Sequence, residues 1–154
     1  MEVRVFPPKP GDFTIGFVDW TPRPPDRNMG LFRGVSLRLN GAVSINNAFV
    51  KSEINHQNLK EAEITIESRV INHSGEEVTA LVQAVIEDIK VEQEIKLQPH
   101  ENKTVVWAPD RFSELKLTNP RLWWPYTMGS PELYQLHMVC KVKNALSDSV
   151  NQTF

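Results

Sequence analysis

Apolar and polar residues alternate along most of this chain, which is the pattern of β-strands that bury one face. In residues 61–71, charged and polar side chains fall on one face and apolar ones on the other. The apolar positions are Ala62, Ile64, Ile66 and Val70. The same alternation occurs in residues 31–39, 78–87, 91–97 and 134–143. It predicts a strand in each of these segments.

Turn-forming residues separate the predicted strands. They are Asn40-Gly41, residues 72–75 and residues 99–102. Shorter β-prone stretches lie at residues 12–20, 49–54 and 104–108. Periodicity alone also allows a helix over residues 78–89, which are strongly apolar. About seven short strands, each apolar on one side, predict an all-β fold, an immunoglobulin-like antiparallel β-sandwich.

Composition narrows the class of protein. The 154 residues are 40% hydrophobic and 23% charged, as in an ordinary folded domain. The net charge of -2, with Lys and Arg scattered among acidic residues, does not favour nucleic acid or an anionic membrane as a partner. The length suits one domain, either alone or with an appended segment of a neighbour, rather than a complete two-domain enzyme.

The chain shows no pattern typical of a catalytic or metal site. The four histidines lie far apart in sequence, at His56, His73, His100 and His137. They lack the close pairing of a zinc motif, so neither a metal nor another cofactor is predicted. Cys140 alternates with apolar residues and is expected to be a buried structural thiol. Most carboxylates alternate with apolar residues, as on a solvated sheet face, and no catalytic residue is predicted among them.

Two segments are candidates for contacts with a ligand or another domain. Residues 19–33 are rich in proline and are predicted to form a loop, in which Trp20 precedes Asp26, Arg27 and Asn28. An aromatic ring with nearby polar groups suits a sugar, although a packed inter-domain linker explains the loop equally well.

The second segment, residues 119–125, contains adjacent tryptophans between prolines. In an extended chain the side chains of Trp123 and Trp124 point in different directions. One ring is expected to fill the sandwich core, and the other to face a neighbouring domain, solvent or a ligand.

These segments also carry a resemblance to a known family. The string Asn119-Pro120-Arg121-Leu122-Trp123-Trp124-Pro125, followed by residues 129–136, resembles the NPxLWWP…G.P.LY.L stretch of family 2 glycoside hydrolases. In that family the stretch belongs to the immunoglobulin-like domain between a jelly roll and a catalytic barrel. Residues 30–35 are similar to the strand that closes the jelly roll, and residues 19–29 resemble the β-mannosidase and exo-β-glucosaminidase branch.

The resemblance implies a division of the chain and a role for it. Residues 1–40 would be the end of a jelly-roll sugar-binding domain with its linker, and residues 41–154 the immunoglobulin-like sandwich. The catalytic glutamates of the family lie on the barrel, so the chain itself would not be an enzyme and its parent would be a retaining glycosidase, periplasmic or secreted. Trp20, Asp26, Arg27 and Asn28 would then be substrate-side contacts in the intact enzyme.

Three functions from different classes remain open on the sequence. The leading one is a non-catalytic accessory domain that positions the jelly roll and barrel of the same polypeptide. The alternative is a free-standing carbohydrate-binding or adhesion module, with Trp20, Trp123 or Trp124 as platforms for an oligosaccharide. The third is a small autonomous hydrolase.

Overall fold

The computed structural model describes residues 2–7, 9, 30, 31 and 33–154. The chain divides into two compact units, Met1–Arg38 and Leu39–Phe154. The second unit contains eight strands and a short 3-10 helix, Ser113–Leu115. The strands are β1 Val43–Ile54, β2 Glu61–Asn72, β3 Val78–Ile86, β4 Ile89–Leu97, β5 Asn102–Trp107, β6 Lys116–Thr118, β7 Gln135–Val142 and β8 Ala145–Thr153.

These strands form two antiparallel sheets. The first has the order β1-β2-β5, and the short β6 also pairs with β2. The second has the order β4-β3-β7-β8. Apolar side chains from both sheets form one buried cluster between them. The predicted all-β sandwich is therefore confirmed.

The buried faces are largely those that the alternation predicts. All four predicted apolar positions of β2 are buried, and so are the alternate positions of β3 and β7. The latter are Ala80, Val82, Ala84, Ile86, Leu136, Met138 and Cys140. Residues 78–89 form strand β3 and the turn into β4 rather than a helix.

The tryptophan of the sandwich core is Trp107, at the end of β5, which is fully buried. Trp123 is 59% exposed, and Trp124 is only partly buried. The expectation that one of the adjacent rings fills the core is therefore wrong. Trp107 lies in the core instead, because its side chain on β5 faces the opposite sheet.

The first strand is attached to the second sheet by side chains. The Val43 N–H donates to Ser147 Oγ at 2.9 Å, and the same hydroxyl donates back to the Val43 carbonyl oxygen at 2.7 Å. The Ile45 N–H donates to Asp148 Oδ2 at 2.7 Å. The backbone of β1 pairs on its other side with β2. Ser147 and Asp148 of β8 therefore satisfy three backbone groups at the start of β1.

Two other sequence expectations differ from the structure. No strand occurs in the described part of residues 31–39, where Leu31, Val35, Leu37 and Leu39 are all more than half exposed. Alternation predicts which face of a strand would be apolar, but a strand also needs a hydrogen-bonded neighbour. No described strand pairs with this segment. Strand β1 starts at Val43 rather than at residue 49, with a bulge after Asn46.

The remaining N-terminal expectations concern residues outside those described. The β-prone stretch 12–20 and the candidate contacts Trp20, Asp26, Arg27 and Asn28 all belong to this group. Their roles stay predictions.

Candidate functional site

The second tryptophan segment lies in a long connection between β6 and β7. We call residues 119–134 the end loop. Prolines at three positions of this loop, Pro120, Pro125 and Pro131, remove backbone donors and prevent a regular ladder. The loop starts at Asn119, whose φ is 50° and whose N–H donates to the Lys60 carbonyl oxygen at 2.6 Å. The end loop is thereby attached to the turn between β1 and β2.

The two tryptophans form part of a small folded unit within this loop. The Trp124 N–H donates to the Ser130 carbonyl oxygen at 2.9 Å, and Trp123 forms an isolated antiparallel bridge with Pro131. The Trp124 side chain packs on Gly129 so closely that a β-carbon there would lie 2.9 Å from Trp124 Cδ1. A glycine is therefore required for the indole to take this position.

Arg121 connects the end loop to the second sheet. Its guanidinium forms a two-pronged ion pair with Glu87, in the turn between β3 and β4, and its Nε lies 3.2 Å from Glu132 Oε2. Its Cζ lies 4.5 Å from the centroid of the Tyr134 ring. The hydrogen bond with Glu87 raises the pKa of Arg121 above its usual value. Because these ion pairs are half exposed, they contribute little stability, and their effect is to fix geometry.

Tyr134 joins three parts of this end of the sandwich. Its hydroxyl oxygen accepts a hydrogen bond of 2.7 Å from the backbone N–H of Arg121. Its ring stacks on Phe154 with centroids 5.7 Å apart, and the backbones of Tyr134 and Phe154 exchange two hydrogen bonds. The end loop and the residue that follows β8 are therefore held together.

A cavity of about 330 Å³ lies between the end loop and the adjoining strand ends. We call it the end cavity. Its wall is mostly apolar, with Ser52, His56, Arg121 and Glu132 as its polar or charged members. The apolar and aromatic lining residues are Ile54, Leu59, Ala62, Ile64, Leu117, Pro120, Leu122, Trp123, Trp124, Tyr134 and Phe154. The volume is at the lower end of the range for small-molecule sites.

Large apolar side chains of the end loop and of the turn between β1 and β2 are exposed, and two of them, Leu59 and Trp123, line this cavity. We define the apolar rim as Leu59, Trp123, Tyr126, Met128 and Leu133, which are between 39% and 96% exposed. Tyr126 is the most exposed of the five, at 96%. Sequence reasoning identified Trp123 but missed Arg121, Tyr134 and the rim. The signal was present in the string 119–136, whose prolines indicate a loop rather than a core strand.

Three titratable groups outside this end of the sandwich, Cys140, Glu92 and Asp148, have surroundings that explain their state. Burial raises the pKa of the Cys140 thiol to about 12, with a further contribution from the charge of Asp148. The thiol is free and buried, as expected. The pKa of Glu92 lies below its usual value because of hydrogen bonds from Lys90 and Gln83. The buried Asp148 accepts two backbone hydrogen bonds, from Ile45 and Ser149.

Two further observations concern the described residues. No group of three or more His, Cys, Asp or Glu side chains in that part of the chain could hold a metal ion. None of the helices described there is long and apolar enough to cross a membrane.

The sandwich, with its proline-bounded tryptophan loop, matches a family of known enzymes. The model of the glycosyl hydrolases family 2 matches residues 43–154, which include all eight strands and the end loop. The chain belongs to this family.

The relatives that are similar to this chain in sequence are much longer proteins. An exo-β-D-glucosaminidase from Streptomyces avermitilis is 36% identical over 152 residues, covering 98% of this chain and 17% of the relative. An exo-β-D-glucosaminidase from Amycolatopsis orientalis is 33% identical, covering 98% of this chain and 14% of the relative. The chain thus spans about one sixth of the length of the curated relatives it matches.

Solved structures of longer glycosidases also contain a domain with this fold. The exo-chitosanase CsxA of Amycolatopsis orientalis superposes with a TM-score of 0.78 at 31% identity, over 91% of this chain and 16% of that one. A β-glucuronidase of Bacteroides uniformis reaches a TM-score of 0.64 at 17% identity, over 74% of this chain and 14% of that one. The second likeness shows the fold alone.

Proposed function

We propose that this chain is a non-catalytic accessory domain of a larger glycosidase, where it positions a jelly-roll domain and a catalytic barrel. The observation that carries the proposal is the family match over the whole sandwich, combined with relatives of which the chain spans about one sixth. A domain of this size leaves most of the parent polypeptide to supply the reacting groups.

The parent would hydrolyse O-glycosyl bonds, with terminal β-D-glucosamine units as its substrate class. The relatives support this substrate, since those that match over nearly the whole chain are exo-β-D-glucosaminidases. A retaining mechanism would need two carboxyl groups about 5 Å apart, one as nucleophile and one as acid and base. We place both on the barrel. Trp20, Asp26, Arg27 and Asn28 remain our candidates for contacts with the sugar.

The surroundings of two described carboxyls, Glu92 and Asp148, support a non-catalytic role. A general acid at neutral pH needs a carboxyl whose pKa is raised by burial or by a like charge. The pKa of Glu92 is shifted in the opposite direction, by Lys90. The buried Asp148 has both oxygens engaged by backbone N–H groups, which is a structural use.

The test compares the isolated chain with its full-length parent on nitrophenyl β-D-glucosaminide. We expect turnover by the parent and none by the isolated chain at the same molar concentration. Turnover by the isolated chain that survives repeated purification would contradict the proposal. A parent inactive on a panel of nitrophenyl glycosides would remove the glycosidase assignment.

A second candidate function is favoured by the exposure of Trp123 beside the end cavity. An exposed indole next to polar groups is a common platform for a sugar ring. Calorimetric titration of the isolated chain with glucosamine oligosaccharides tests this candidate. Phe49, on β1, is a matched control because its exposure of 60% equals that of Trp123 within a percentage point. Binding that Trp123→Ala abolishes and Phe49→Ala preserves would establish a carbohydrate-binding module; we expect no binding.

A further inference from the structure

A groove runs along one side of the sandwich, between β4 and β5. Each of these strands lies at the edge of its sheet, β4 in the second sheet and β5 in the first. The groove has a volume of about 340 Å³ and shares no lining residue with the end cavity. We call it the side groove. Its floor contains Ile95 and Val105, which belong to the buried core cluster.

The charged residues that line the side groove carry an excess of positive charge. They are the cations Lys96, Lys103 and Arg111 and the carboxylate Glu94, three positive charges against one negative charge. All three cations are exposed, and none of them lies within ion-pair distance of a carboxylate in the described part of the chain. A groove with an apolar floor screens such charges less than open water does, so it attracts anions.

Two of these cations are held by contacts that leave their charge uncompensated. Lys103 Nζ donates to the Lys96 carbonyl oxygen at 3.5 Å, so the lysine side chain crosses from β5 to β4. The Arg111 guanidinium lies over the Phe112 ring, with Cζ 5.7 Å from the ring centroid. A neutral carbonyl group and an aromatic face attract a cation without cancelling its charge. Both side chains therefore keep donors for an anion.

The contact of Lys103 with β4 also bears on the kind of occupant. The Lys96 carbonyl oxygen that it binds lies on the free edge of β4, the side that faces away from β3. An added β-strand would have to displace the lysine from this edge, and lysines are a common protection of edge strands. A compact anion requires only donors. The Lys96 N–H is one more of these, because the N–H and C=O of a residue in an antiparallel strand point to the same side.

We propose that the side groove binds a compact oxyanion, either the carboxylate of an acidic sugar or a free inorganic ion. Lys103 supplies a point charge, and Arg111 supplies a planar fork of donors that matches two oxygen atoms. The exposed Thr104, between them on the groove wall, offers a hydroxyl donor. The inference goes beyond the proposed function and does not depend on it, because it concerns a surface of this chain and not the chemistry of its parent.

Titration of the isolated chain, followed by the NMR signals of its backbone amides, tests the inference. The probes are sodium glucuronate, sodium sulfate and glucose, each at the same total ionic strength. We expect glucuronate and sulfate to shift the signals of the groove residues until the shifts saturate. Glucose should shift none of them, because it lacks an anionic group. Tighter binding of glucuronate would support an acidic sugar as the ligand, and tighter binding of sulfate would support an inorganic ion.

Variants that remove one charge locate the site. Lys103→Gln and Arg111→Gln should each weaken binding of the anion about fivefold, as expected for one charge pair at about 4 Å near water. Lys90→Gln is the matched control, because Lys90 also lies on β4 but is paired with Glu92 at 3.0 Å and does not line the groove. It should leave the affinity unchanged.

Two results would overturn the inference. One is a set of shifts that grow linearly with anion concentration without saturating, which would indicate only diffuse attraction to surface cations. The other is an equal loss of affinity in Lys90→Gln and Lys103→Gln, which would show that net charge rather than the side groove determines binding. Melting temperatures that agree among the variants would exclude unfolding as the cause of any loss.

Discussion

The attachment of β1 to β8 can be tested by removing one oxygen atom. Ser147→Ala deletes the hydroxyl that both accepts from the Val43 N–H and donates to the Val43 carbonyl. Val43 is fully buried, and Ser147 is 6% exposed. Water therefore cannot readily replace the lost partner, and the side-chain volume hardly changes.

The expected loss follows from two buried hydrogen bonds. A buried backbone group that loses its partner costs about 1–3 kcal/mol. We expect Ser147→Ala to lower the free energy of unfolding by about 2 kcal/mol. For a domain of this size, that corresponds to a melting temperature lower by roughly 4–8 °C.

Ser149→Ala is the matched control, two residues further along the same strand. Ser149 is exposed, so the same substitution there should change stability by less than about 0.5 kcal/mol. Urea unfolding followed by circular dichroism gives both values, with an unchanged m-value if the denatured state is unaffected. Equal losses for Ser147→Ala and Ser149→Ala would refute the role of the hydroxyl.

Three further predictions concern the end loop and the buried thiol. Gly129→Ala should lower the free energy of unfolding by about 1–3 kcal/mol and change the fluorescence of Trp124, because the new β-carbon would lie 2.9 Å from the indole. Gly75→Ala is the control and should change neither quantity, because no atom lies within 4 Å of the added β-carbon. Arg121→Gln should barely change the melting temperature, yet speed hydrogen exchange of the end loop, since the ion pairs are half exposed. Burial raises the pKa of the Cys140 thiol from an ordinary 9.0 to about 12, so the folded chain disfavours the thiolate; stability should fall as pH rises from 9 toward 12, more steeply than in Cys140→Ala.

The sequence predicted the sheet faces well where alternation coincides with burial. In β2 and β3 a strict period of two places every second side chain in the core, so pattern and structure agree. The same rule failed over residues 31–39, because alternation cannot show whether a neighbouring strand exists to accept the hydrogen bonds.

Strand β8 was missed because its two buried residues are polar. Ser147 and Asp148 are both buried, and a bulge between Cys140 and Lys141 of β7 shifts the pairing. The turn before it, Lys143-Asn144, has two left-handed residues without the glycine that usually signals such a hairpin. Neither feature is visible as a hydrophobic pattern.

The candidate site was only half predictable. The string 119–125 identified the place, but the position of Trp123 on a rim depends on contacts distant in sequence. Arg121 reaches Glu87, 34 residues away, and the cavity wall includes Phe154. No local periodicity encodes such pairings, so the tryptophans could not be assigned to core or surface from the pattern.

The side chains that bind the start of β1 also affect whether this chain associates with other copies through its sheet edge. A strand at the margin of a sheet offers unpaired N–H and C=O groups to any passing β-strand, and is a common starting point for aggregation. At Val43 and Ile45 those groups are occupied by a hydroxyl and a carboxylate, neither of which can extend into a further strand. The start of β1 is thereby closed to strand addition.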